Sequence, residues 1–411
     1  MLLYDELVFR NLIKDVSDDK KAKELLNGKH VKVYCGFDPT GESLTIGHLV
    51  QIMRMKLLEK HNHIPVVLIG GATGLIGDPR ETTERKLLTL EQSLHNAQMI
   101  ELQIKKYLPN AIYVNNYDWV KDIDLISFLR DYGKHFNVNY MLAKDTVQAR
   151  LESGISFTEF SYTIIQALDW LRLYEKEDVK IQFGGSDQWG NITSGLELIR
   201  KKLGDHEAVG ISSPLLLKSD GGKFGKSESG TIWVDGRLTS PYELYQYFIN
   251  TADEDVETYL KTLTLIEPKD ILKLVEESKQ FPEKRIAQKA LAEAICGFVH
   301  GEEVLKRVMN VSASLFSGNF STLTKEELEL AYHALDSLEV EDNEGIINIL
   351  TNTNLAQSNR EARTFIQSGA ISVNDLKVES FNDTVSKKDA YFETYSIIKR
   401  GRRRFSMIKF K

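Results

Sequence analysis

The sequence predicts an α/β protein with a doubly wound, Rossmann-like parallel sheet, followed by an α-helical domain and a small α+β module. Apolar runs that end in glycine-containing turns alternate with helical segments, which is the pattern of such a sheet. Strands are expected at Val31–Gly36, Ile64–Ile69 and Val179–Phe183, and helices at Leu49–Lys60 and Phe160–Tyr174. Because ligands of these folds bind beyond the carboxyl ends of the strands, we expect the functional site in the turns.

The rest of the chain lacks this alternation. Strand signals fade after the loop Lys218–Ser229, and charged amphipathic segments indicate helices at Tyr242–Phe248, Ile271–Glu277, Glu283–His300 and Glu302–Met309. The acidic, turn-prone stretch Glu339–Gly345 is typical of a linker. We therefore predict a catalytic domain at 1–217, a lysine-loop and helical domain at 218–338, and a C-terminal module at 344–411.

Composition excludes several classes of protein. The 411 residues are 42% hydrophobic and 27% charged, which is enough for sizeable cores. Two cysteines, Cys35 and Cys296, cannot form a disulfide framework or a cysteine-rich zinc site. The first residues are acidic, and no apolar run reaches membrane-spanning length. We expect a soluble, cytoplasmic protein with no membrane partner.

Positive charge is concentrated at the C-terminus. The whole chain has a formal net charge of -7, whereas residues 344–411 contain 12 Lys and Arg against 7 Asp and Glu. The densest part is Lys399–Phe405, with an aromatic residue at its end. This pattern is typical of a polyanion contact, although a solvated basic tail explains it equally well on its own.

The first motif, Tyr34–Leu49, is a strand that turns into a helix. Gly47 allows close approach of a ligand to the backbone, and His48 lies near the helix N-terminus, where free amide groups favour an anion. The motif predicts a cradle for nucleotide phosphates. Alone, it also fits a helix cap or a packing pair.

The second motif, Gly221–Ser227, is similar to a Walker loop but has three residues, where that motif has four, between its first glycine and the Gly-Lys pair. A mobile loop is the better interpretation, with Lys223 and Lys226 closing over a polyphosphate. An ordinary solvated loop is the alternative. The turn at residues 70–80 lacks the Gly-x-Gly-x-x-Gly order, which disfavours a dehydrogenase.

Two further segments carry polar residues in apolar surroundings. Tyr162, Gln166 and Asp169 share one face of a predicted helix, and a buried carboxylate there needs a hydroxyl or ammonium partner. A water-facing polar side is the alternative. In Gln182–Asn191, Asp187 follows a predicted strand and could accept hydrogen bonds from ribose hydroxyls, or cap the next helix.

Together, these segments resemble bacterial tyrosyl-tRNA synthetases, which are class I aminoacyl-tRNA synthetases, over essentially the whole chain. The family's His-Ile-Gly-His signature corresponds to Thr45–His48, and its Lys-Met-Ser-Lys-Ser signature corresponds to Lys223–Ser227. Thr45 replaces the first histidine of the family. Phe224 and Gly225 replace the middle of the lysine signature, and both lysines remain.

The resemblance implies that L-tyrosine is activated by ATP with Mg²⁺ and transferred to tRNA(Tyr), without a catalytic triad or a protein metal site. The residues implied to bind tyrosine are Tyr34, Asp78, Tyr162, Gln166, Asp169, Gln182 and Gln188. Those implied to bind ATP are Cys35, Gly36, Asp38, Gly47, His48, Asp187 and Lys226. Those implied to act in catalysis are Thr40, Thr45, His48, Lys223 and Lys226, with Arg80, Arg85 or Lys86 near the departing pyrophosphate.

The resemblance extends to the C-terminus and to the assembly. Leu355–Asn374 is similar to the family's small RNA-binding module, in which Ser358 would cap a helix. The residues implied to bind tRNA are Arg360, Arg363, Arg402, Arg403 and Arg404. A homodimer with contacts at about residues 112–153 is also implied.

Two other readings remain open. One is a tryptophanyl-tRNA synthetase, which shares the fold; the pairing of Tyr34 with Asp169 suits a phenol better. The other is a non-catalytic RNA-binding protein built on a decayed synthetase, which retention of both loop lysines and His48 disfavours.

Overall fold

The computed structural model describes residues 1–28, 30–79, 87–222, 224–227, 230–401 and 404–411. The chain packs into two compact units, Met1–Val234 with Ala252–Ala287, and Asp235–Thr251 with Gln288–Lys411. Residues 252–287, which the sequence analysis assigned to the helical domain, therefore pack with the first unit. The three-domain division stays a prediction.

The first unit contains a five-stranded sheet, and its fold confirms the predicted class. The strands are β1 (Lys32–Phe37), β2 (Ile64–Ile69), β3 (Ile112–Asn115), β4 (Val179–Gly185) and β5 (Val209–Ser213). They lie in the order β3-β2-β1-β4-β5, and every neighbouring pair is parallel. The strand order reverses between β1 and β4, so a crevice opens at the carboxyl ends of these two strands.

Helices account for most of the remaining regular structure. In chain order they are α1 (Leu3–Phe9), α2 (Asp19–Leu26), α3 (Leu49–Lys60), α4 (Thr73–Ile76), α5 (Leu90–Tyr107), α6 (Tyr117–Val120), α7 (Leu125–Ser127), α8 (Val138–Leu142), α9 (Asp145–Gln148), α10 (Phe157–Glu177), α11 (Trp189–Leu203), α12 (Pro241–Ile249), α13 (Asp253–Leu263), α14 (Pro268–Gln280), α15 (Ile286–His300), α16 (Glu302–Ser317), α17 (Lys325–Ala334), α18 (Ile346–Asn352) and α19 (Asn359–Gln367). None within the described ranges is both long and apolar enough to cross a membrane.

Helix α10 carries several of the predicted site residues, and its ends have clear local causes. The Ser156 hydroxyl accepts a hydrogen bond from the Glu159 backbone N–H at the start, and Asp178 adopts a left-handed conformation at the end. Trp170 of α10 is fully buried against α11. A Cβ atom at Gly195 of α11 would lie 2.8 Å from the Trp170 ring, so glycine permits the close approach of the two helices.

The remaining strands of the described residues form one further five-stranded sheet and two two-stranded sheets. They are β6 (Lys226–Ser227), β7 (Gly230–Thr231), β8 (Ser337–Val340), β9 (Glu344–Gly345), β10 (Ile371–Val373), β11 (Leu376–Lys377), β12 (Thr384–Val385), β13 (Tyr395–Arg400) and β14 (Arg404–Phe410). In the second unit, five of them lie in the order β11-β10-β13-β14-β8.

The prediction of a linker at Glu339–Gly345 is wrong, because the structure places strands there. Its first residues belong to β8, which pairs in parallel with β14, and its last residues form β9, which pairs with β12. Tyr395, Ile397 and Met407 of the sheet also pack in one core with Phe320 and Leu328. The C-terminal sheet and helices α16 and α17 therefore share a hydrophobic core.

Candidate active site

A cavity of about 430 Å³ lies at the carboxyl ends of β1 and β4. The predicted site residues that line it are Tyr34, Cys35, Gly36, Asp38, Thr40, Thr45, Gly47, His48, Asp78, Tyr162, Gln166, Asp169, Gln182, Asp187 and Gln188. The lining residues that the sequence analysis did not single out are Phe37, Gln51, Leu68, Thr73, Phe183, Gly184, Gly185 and Leu215. The fold thus brings together three of the four sequence motifs and the turn at residues 70–80.

At one part of the wall, Tyr34 and Asp169 face the same cavity. Both side chains are 1% exposed. The Tyr34 hydroxyl has no hydrogen-bond partner among the described residues, although it is buried. Burial, and then the charge of Asp169, raise the pKa of Tyr34 well above its usual value. A buried hydroxyl without a partner costs free energy, and a ligand hydroxyl could supply that partner.

The Asp169 carboxylate is held by two donors. Asn116 Nδ2 lies 2.9 Å from Asp169 Oδ2, and Trp119 Nε1 lies 2.9 Å from Oδ1. Burial raises the pKa of Asp169 to about 7, although both hydrogen bonds oppose the rise. The carboxylate is therefore oriented before a ligand arrives, and its charge titrates near neutral pH.

A hydrogen-bonded chain extends from Asp169 across the cavity. Asn116 Nδ2 also donates to Thr73 Oγ1 at 3.0 Å, and Thr73 Oγ1 donates to Asp38 Oδ1 at 2.6 Å. The Tyr162 hydroxyl donates to Asp38 Oδ2 at 2.8 Å. Buried polar networks of this kind fix side-chain orientation when their members are satisfied.

Asp78 provides a second buried carboxylate. Its oxygens accept hydrogen bonds from Gln188 Nε2 at 2.8 Å and from Asn191 Nδ2 at 3.2 Å. Burial raises the pKa of Asp78 to about 6. Gln166 also lines the cavity, and its Oε1 atom is buried without a partner among the described residues. A ligand ammonium group would suit both acceptors.

The turn after β1 fixes the histidine of the first motif. The Thr45 backbone N–H donates to His48 Nδ1 at 3.0 Å, and the Thr45 hydroxyl oxygen lies 3.1 Å from the same nitrogen. Because Nδ1 accepts, the proton of the neutral ring is on Nε2. Burial lowers the pKa of His48, which favours this neutral form. The ring can therefore donate from Nε2.

The end of β4 and the turn that follows it place an acidic side chain, Asp187, beside the cavity. A Cβ atom at Gly185 would lie 2.4 Å from Asp187 Oδ1, so a larger residue there would displace this carboxylate. Across the cavity wall, the Cys35 thiol donates to Gln51 Oε1 at 3.2 Å. Cys35 and Asp187 both line the cavity, and the contacts with ATP that the resemblance implies for them stay predictions.

The lysine loop is attached to the turn that contains His48. The Ile46 backbone N–H donates to the Ile232 carbonyl at 3.1 Å, just after β7. Gly225 has φ of +82°, and a Cβ atom there would lie 3.2 Å from Ile46 Cγ1. The Phe224 ring packs edge-on against Tyr259, with ring centroids 4.9 Å apart. Phe224 and Gly225, which depart from the family's lysine signature, thus have packing roles.

Of the five basic side chains expected near the departing pyrophosphate, the structure describes one, Lys226. Lys226 is exposed and is not among the residues that line the cavity. Lys223, Arg80, Arg85 and Lys86 lie outside the described residues. The catalytic roles expected for these five side chains stay predictions.

Comparison with known proteins identifies the family of this chain. Residues 26–317 match the family model for class I tRNA synthetases (W and Y), and residues 327–408 match the C-terminal domain model of the tyrosine–tRNA ligase SYY-like type. The tyrosine–tRNA ligase of Onion yellows phytoplasma (strain OY-M) is 50% identical over 413 residues, with 100% of both chains covered. The chain belongs to the class I tyrosyl-tRNA synthetase family.

Other members of the family are similar to this chain in sequence and structure. The tyrosine–tRNA ligase of Geobacillus stearothermophilus is 45% identical to this synthetase over 418 residues, again with 100% of both chains covered. Among solved structures, a C-terminally truncated mitochondrial tyrosyl-tRNA synthetase of Aspergillus nidulans is 31% identical, with a TM-score of 0.69. That match covers 76% of this synthetase and 94% of the fungal chain.

The arginines expected to bind tRNA lie in the second unit of this synthetase. Arg360 and Arg363 are exposed on α19, and Arg404 is exposed at the start of β14. Arg400, the last residue of β13, contacts α19, because its guanidinium lies 4.4 Å from the Phe365 ring centroid, and it pairs with Arg404 of β14. Arg402 and Arg403 lie outside the described residues.

Sequence reasoning missed several polar residues that support the site of this synthetase. Asn116 and Trp119 hold Asp169, and Asn191 contacts Asp78. Lys144 Nζ donates to Thr163 Oγ1 at 3.0 Å and to Asn191 Oδ1 at 3.3 Å, and burial lowers its pKa to about 7. The sequence signal that could have identified Asn116 is the run of polar residues at the end of β3, where a parallel strand places ligand-binding groups.

Proposed function

We propose that this chain is a tyrosine–tRNA ligase, which activates L-tyrosine with ATP to give tyrosyl-adenylate and pyrophosphate, and then transfers tyrosyl to the 3′ end of tRNA(Tyr). The observation that carries the proposal is the unpartnered, buried Tyr34 hydroxyl beside the Asp169 carboxylate, in the same cavity as His48. A substrate phenol would complete this arrangement, since it can both donate to Asp169 and accept from Tyr34.

The remaining polar groups suit the other end of tyrosine. Its ammonium group would lie against Asp78, Tyr162 and Gln166, with Gln182 and Gln188 next to them. Support comes from the unpartnered Gln166 Oε1 atom and from the buried Asp78 carboxylate. Anchoring at both ends orients the substrate carboxylate, which is the reacting group.

ATP would occupy the part of the cavity near the turns. Ribose and phosphates would contact His48 Nε2 and Asp187, and the backbone at Gly36 and Gly47; the other proposed ATP contacts are Cys35, Asp38 and Lys226. Mg²⁺ would be held largely by the phosphates. In the described part of the chain, no group of three or more His, Cys, Asp or Glu side chains could hold a metal ion.

The reaction needs no nucleophilic side chain. The tyrosine carboxylate attacks the α-phosphorus of ATP in line, and pyrophosphate leaves; a ribose hydroxyl at the tRNA terminus then attacks the acyl carbon, and AMP leaves. The protein contributes position and electrostatic stabilisation. In this proposal Thr40, Thr45, Lys223 and Lys226 face the departing pyrophosphate.

A homodimer in the cytoplasm completes the proposal. Apolar side chains in the segment 112–153 are exposed, notably Leu125 at 69%, Ile126 at 66% and Val138 at 58%. An interface with a second copy of the chain would remove these side chains from water. Both cysteines are buried free thiols, which suits a reducing compartment.

Tyrosine-dependent exchange of pyrophosphate into ATP tests the proposed activity. We expect exchange with L-tyrosine and, under the same conditions, far slower exchange with L-phenylalanine or L-tryptophan. Charging of tRNA(Tyr) with labelled tyrosine tests the second step. Faster exchange with tryptophan than with tyrosine, or no exchange with any amino acid, would overturn the proposal.

Tyrosine affinity is expected to depend on pH through Asp169. Its pKa is raised from 3.8 to about 7, so the stability that this shift contributes is present below about pH 4 and is lost as the pH rises through 7. Substrate binding needs the ionised form. Between pH 6 and pH 8, KM for tyrosine should therefore fall by about tenfold. The measurement is pyrophosphate exchange at saturating ATP, and a KM that rises over this range would contradict the role of Asp169.

A further inference from the structure

Helix α3 places an arginine in the core directly behind the cavity wall. Arg54 is 1% exposed, and its Nη1 donates to the Gly184 carbonyl at 3.1 Å. Its guanidinium lies 4.8 Å from the centroid of the Phe183 ring. The Nε and Nη2 atoms are buried without hydrogen-bond partners among the described residues.

Within the part of the chain that the structure describes, the buried Arg54 guanidinium lacks the contacts with which a buried cation stabilises a fold. A buried cation is costly unless a counter-charge and hydrogen bonds compensate for its lost hydration. Arg10, in the same unit, has that compensation: it pairs with Glu6 at 2.8 Å and donates to the carbonyls of Thr264 and Ile266. Arg54 contacts only one carbonyl, that of Gly184, and one aromatic ring, that of Phe183, among the described residues. Burial lowers its pKa to about 10, so it remains charged at neutral pH.

What Arg54 contacts is the nucleotide side of the cavity. Phe183 and Gly184 both line it, and they lead directly into the turn that carries Asp187. On the opposite side, Arg54 is close enough to Cys35 for its charge to oppose the rise in the pKa of that thiol. The guanidinium therefore fixes the peptide group that precedes the Asp187 turn and places a positive charge behind it.

We propose that Arg54 is a positioning residue for ATP, which holds the end of β4 through the Gly184 carbonyl and the Phe183 ring and is retained at a cost in stability. The inference rests on the proposed function, because it assigns the nucleotide part of the cavity to ATP. Tyrosine, held by Tyr34 and Asp169, does not depend on Arg54.

The test compares Arg54→Met with Arg54→Lys and with the matched control Arg10→Met. Three quantities are measured: the Kd for ATP by equilibrium dialysis, KM for ATP and for tyrosine in pyrophosphate exchange, and Tm without ligands. For Arg54→Met we expect Kd and KM for ATP to rise about tenfold, KM for tyrosine to stay within about twofold, and Tm to stay the same or rise. Arg54→Lys, which keeps the charge but loses the planar fork, should be intermediate in ATP affinity.

The control should behave in the opposite way, since Arg10→Met leaves Glu6 buried without its partner. We expect its Tm to fall clearly while its Kd for ATP changes by less than about twofold. The inference is overturned if Arg54→Met lowers Tm as Arg10→Met does or fails to fold, if its ATP affinity is unchanged, or if ATP and tyrosine are affected equally. A different result would refute the proposed function and leave the role of Arg54 intact: the wild-type protein binds ATP, Arg54→Met weakens that binding, and the wild type shows no tyrosine-dependent exchange.

Discussion

Replacement of Asp169 by asparagine is expected to lower kcat/KM for tyrosine in pyrophosphate exchange by about 10²- to 10³-fold. Both carboxylate oxygens already accept hydrogen bonds, one from Asn116 and one from Trp119. An asparagine amide would direct its NH₂ group at one of these donors, which turns an attraction into a repulsion. The substrate phenol would also lose the charged acceptor opposite Tyr34.

The defect should be confined to tyrosine. ATP contacts are assigned to other residues, so the Kd for ATP, measured by equilibrium dialysis, should stay within about twofold of the wild-type value. If Asp169→Asn binds ATP poorly, or retains tyrosine kcat/KM within about tenfold of wild type, the phenol site has been assigned wrongly.

Tyr34→Phe provides the matched control for the same site. The lost hydroxyl has no partner among the described residues, so its removal should leave Tm the same or raise it. Activity with tyrosine should fall by about tenfold, and the preference for tyrosine over phenylalanine should narrow, because the site loses a group that only a phenol can satisfy. A lower Tm would contradict the absence of a partner.

Much of this site follows from local sequence, for a physical reason. The carboxyl ends of parallel strands meet at one edge of a sheet, so the turns after β1 and β4 had to approach each other once the strands were recognised. Tyr162, Gln166 and Asp169 share one face through their spacing of four and three residues, and all three line the cavity. Their helical face could be predicted without knowledge of its neighbours.

The supporting residues could not be predicted in this way. Strand β3, which precedes Asn116, has four residues and is half-buried at every position. Its place in the sheet depends on pairing with β2, which is a non-local contact. Arg54 illustrates the same limit, since α3 is buried on several sides and periodicity alone cannot place a charged residue inside.

The misread linker has a similar cause. Residues 339–345 are acidic and turn-prone, as linkers often are, yet Ser337–Val340 is a strand because β14 lies beside it. That partner is about 70 residues further along the chain, so local composition carries no sign of it. Non-local pairing also explains why the helices and the C-terminal sheet share one core.

Replacement of Arg360, Arg363 and Arg404 together by alanine is expected to raise KM for tRNA(Tyr) in aminoacylation by about 10²-fold. All three side chains are exposed. The contact of Arg400 with Phe365 keeps the end of β13 next to α19. Arg404 is close by, because Arg400 pairs with it across β13 and β14. Phosphate groups of RNA would contact such a surface mainly through charge. Pyrophosphate exchange should be unchanged, because the cavity residues belong to the first unit.

Point substitutions test this better than truncation does. A chain that ends at residue 343 would lose β13 and β14, and with them Tyr395, Ile397 and Met407 from the core that they share with Phe320 and Leu328. Poor charging by such a fragment would then reflect exposed apolar surface as much as missing arginines. The alanine variant keeps that core, and an unchanged Tm is its check.

The dependence on salt separates phosphate contact from other causes. Each arginine that neutralises a phosphate should contribute about one to the slope of log Kd for tRNA(Tyr) against log salt concentration, so the slope should decrease by about three in the triple variant. Arg237→Ala is a suitable control, since its side chain is exposed but paired with Asp235. An unchanged slope in the triple variant, or an equal decrease in the Arg237→Ala control, would place the RNA contact elsewhere, because counterion release reports on the charges that the phosphates meet.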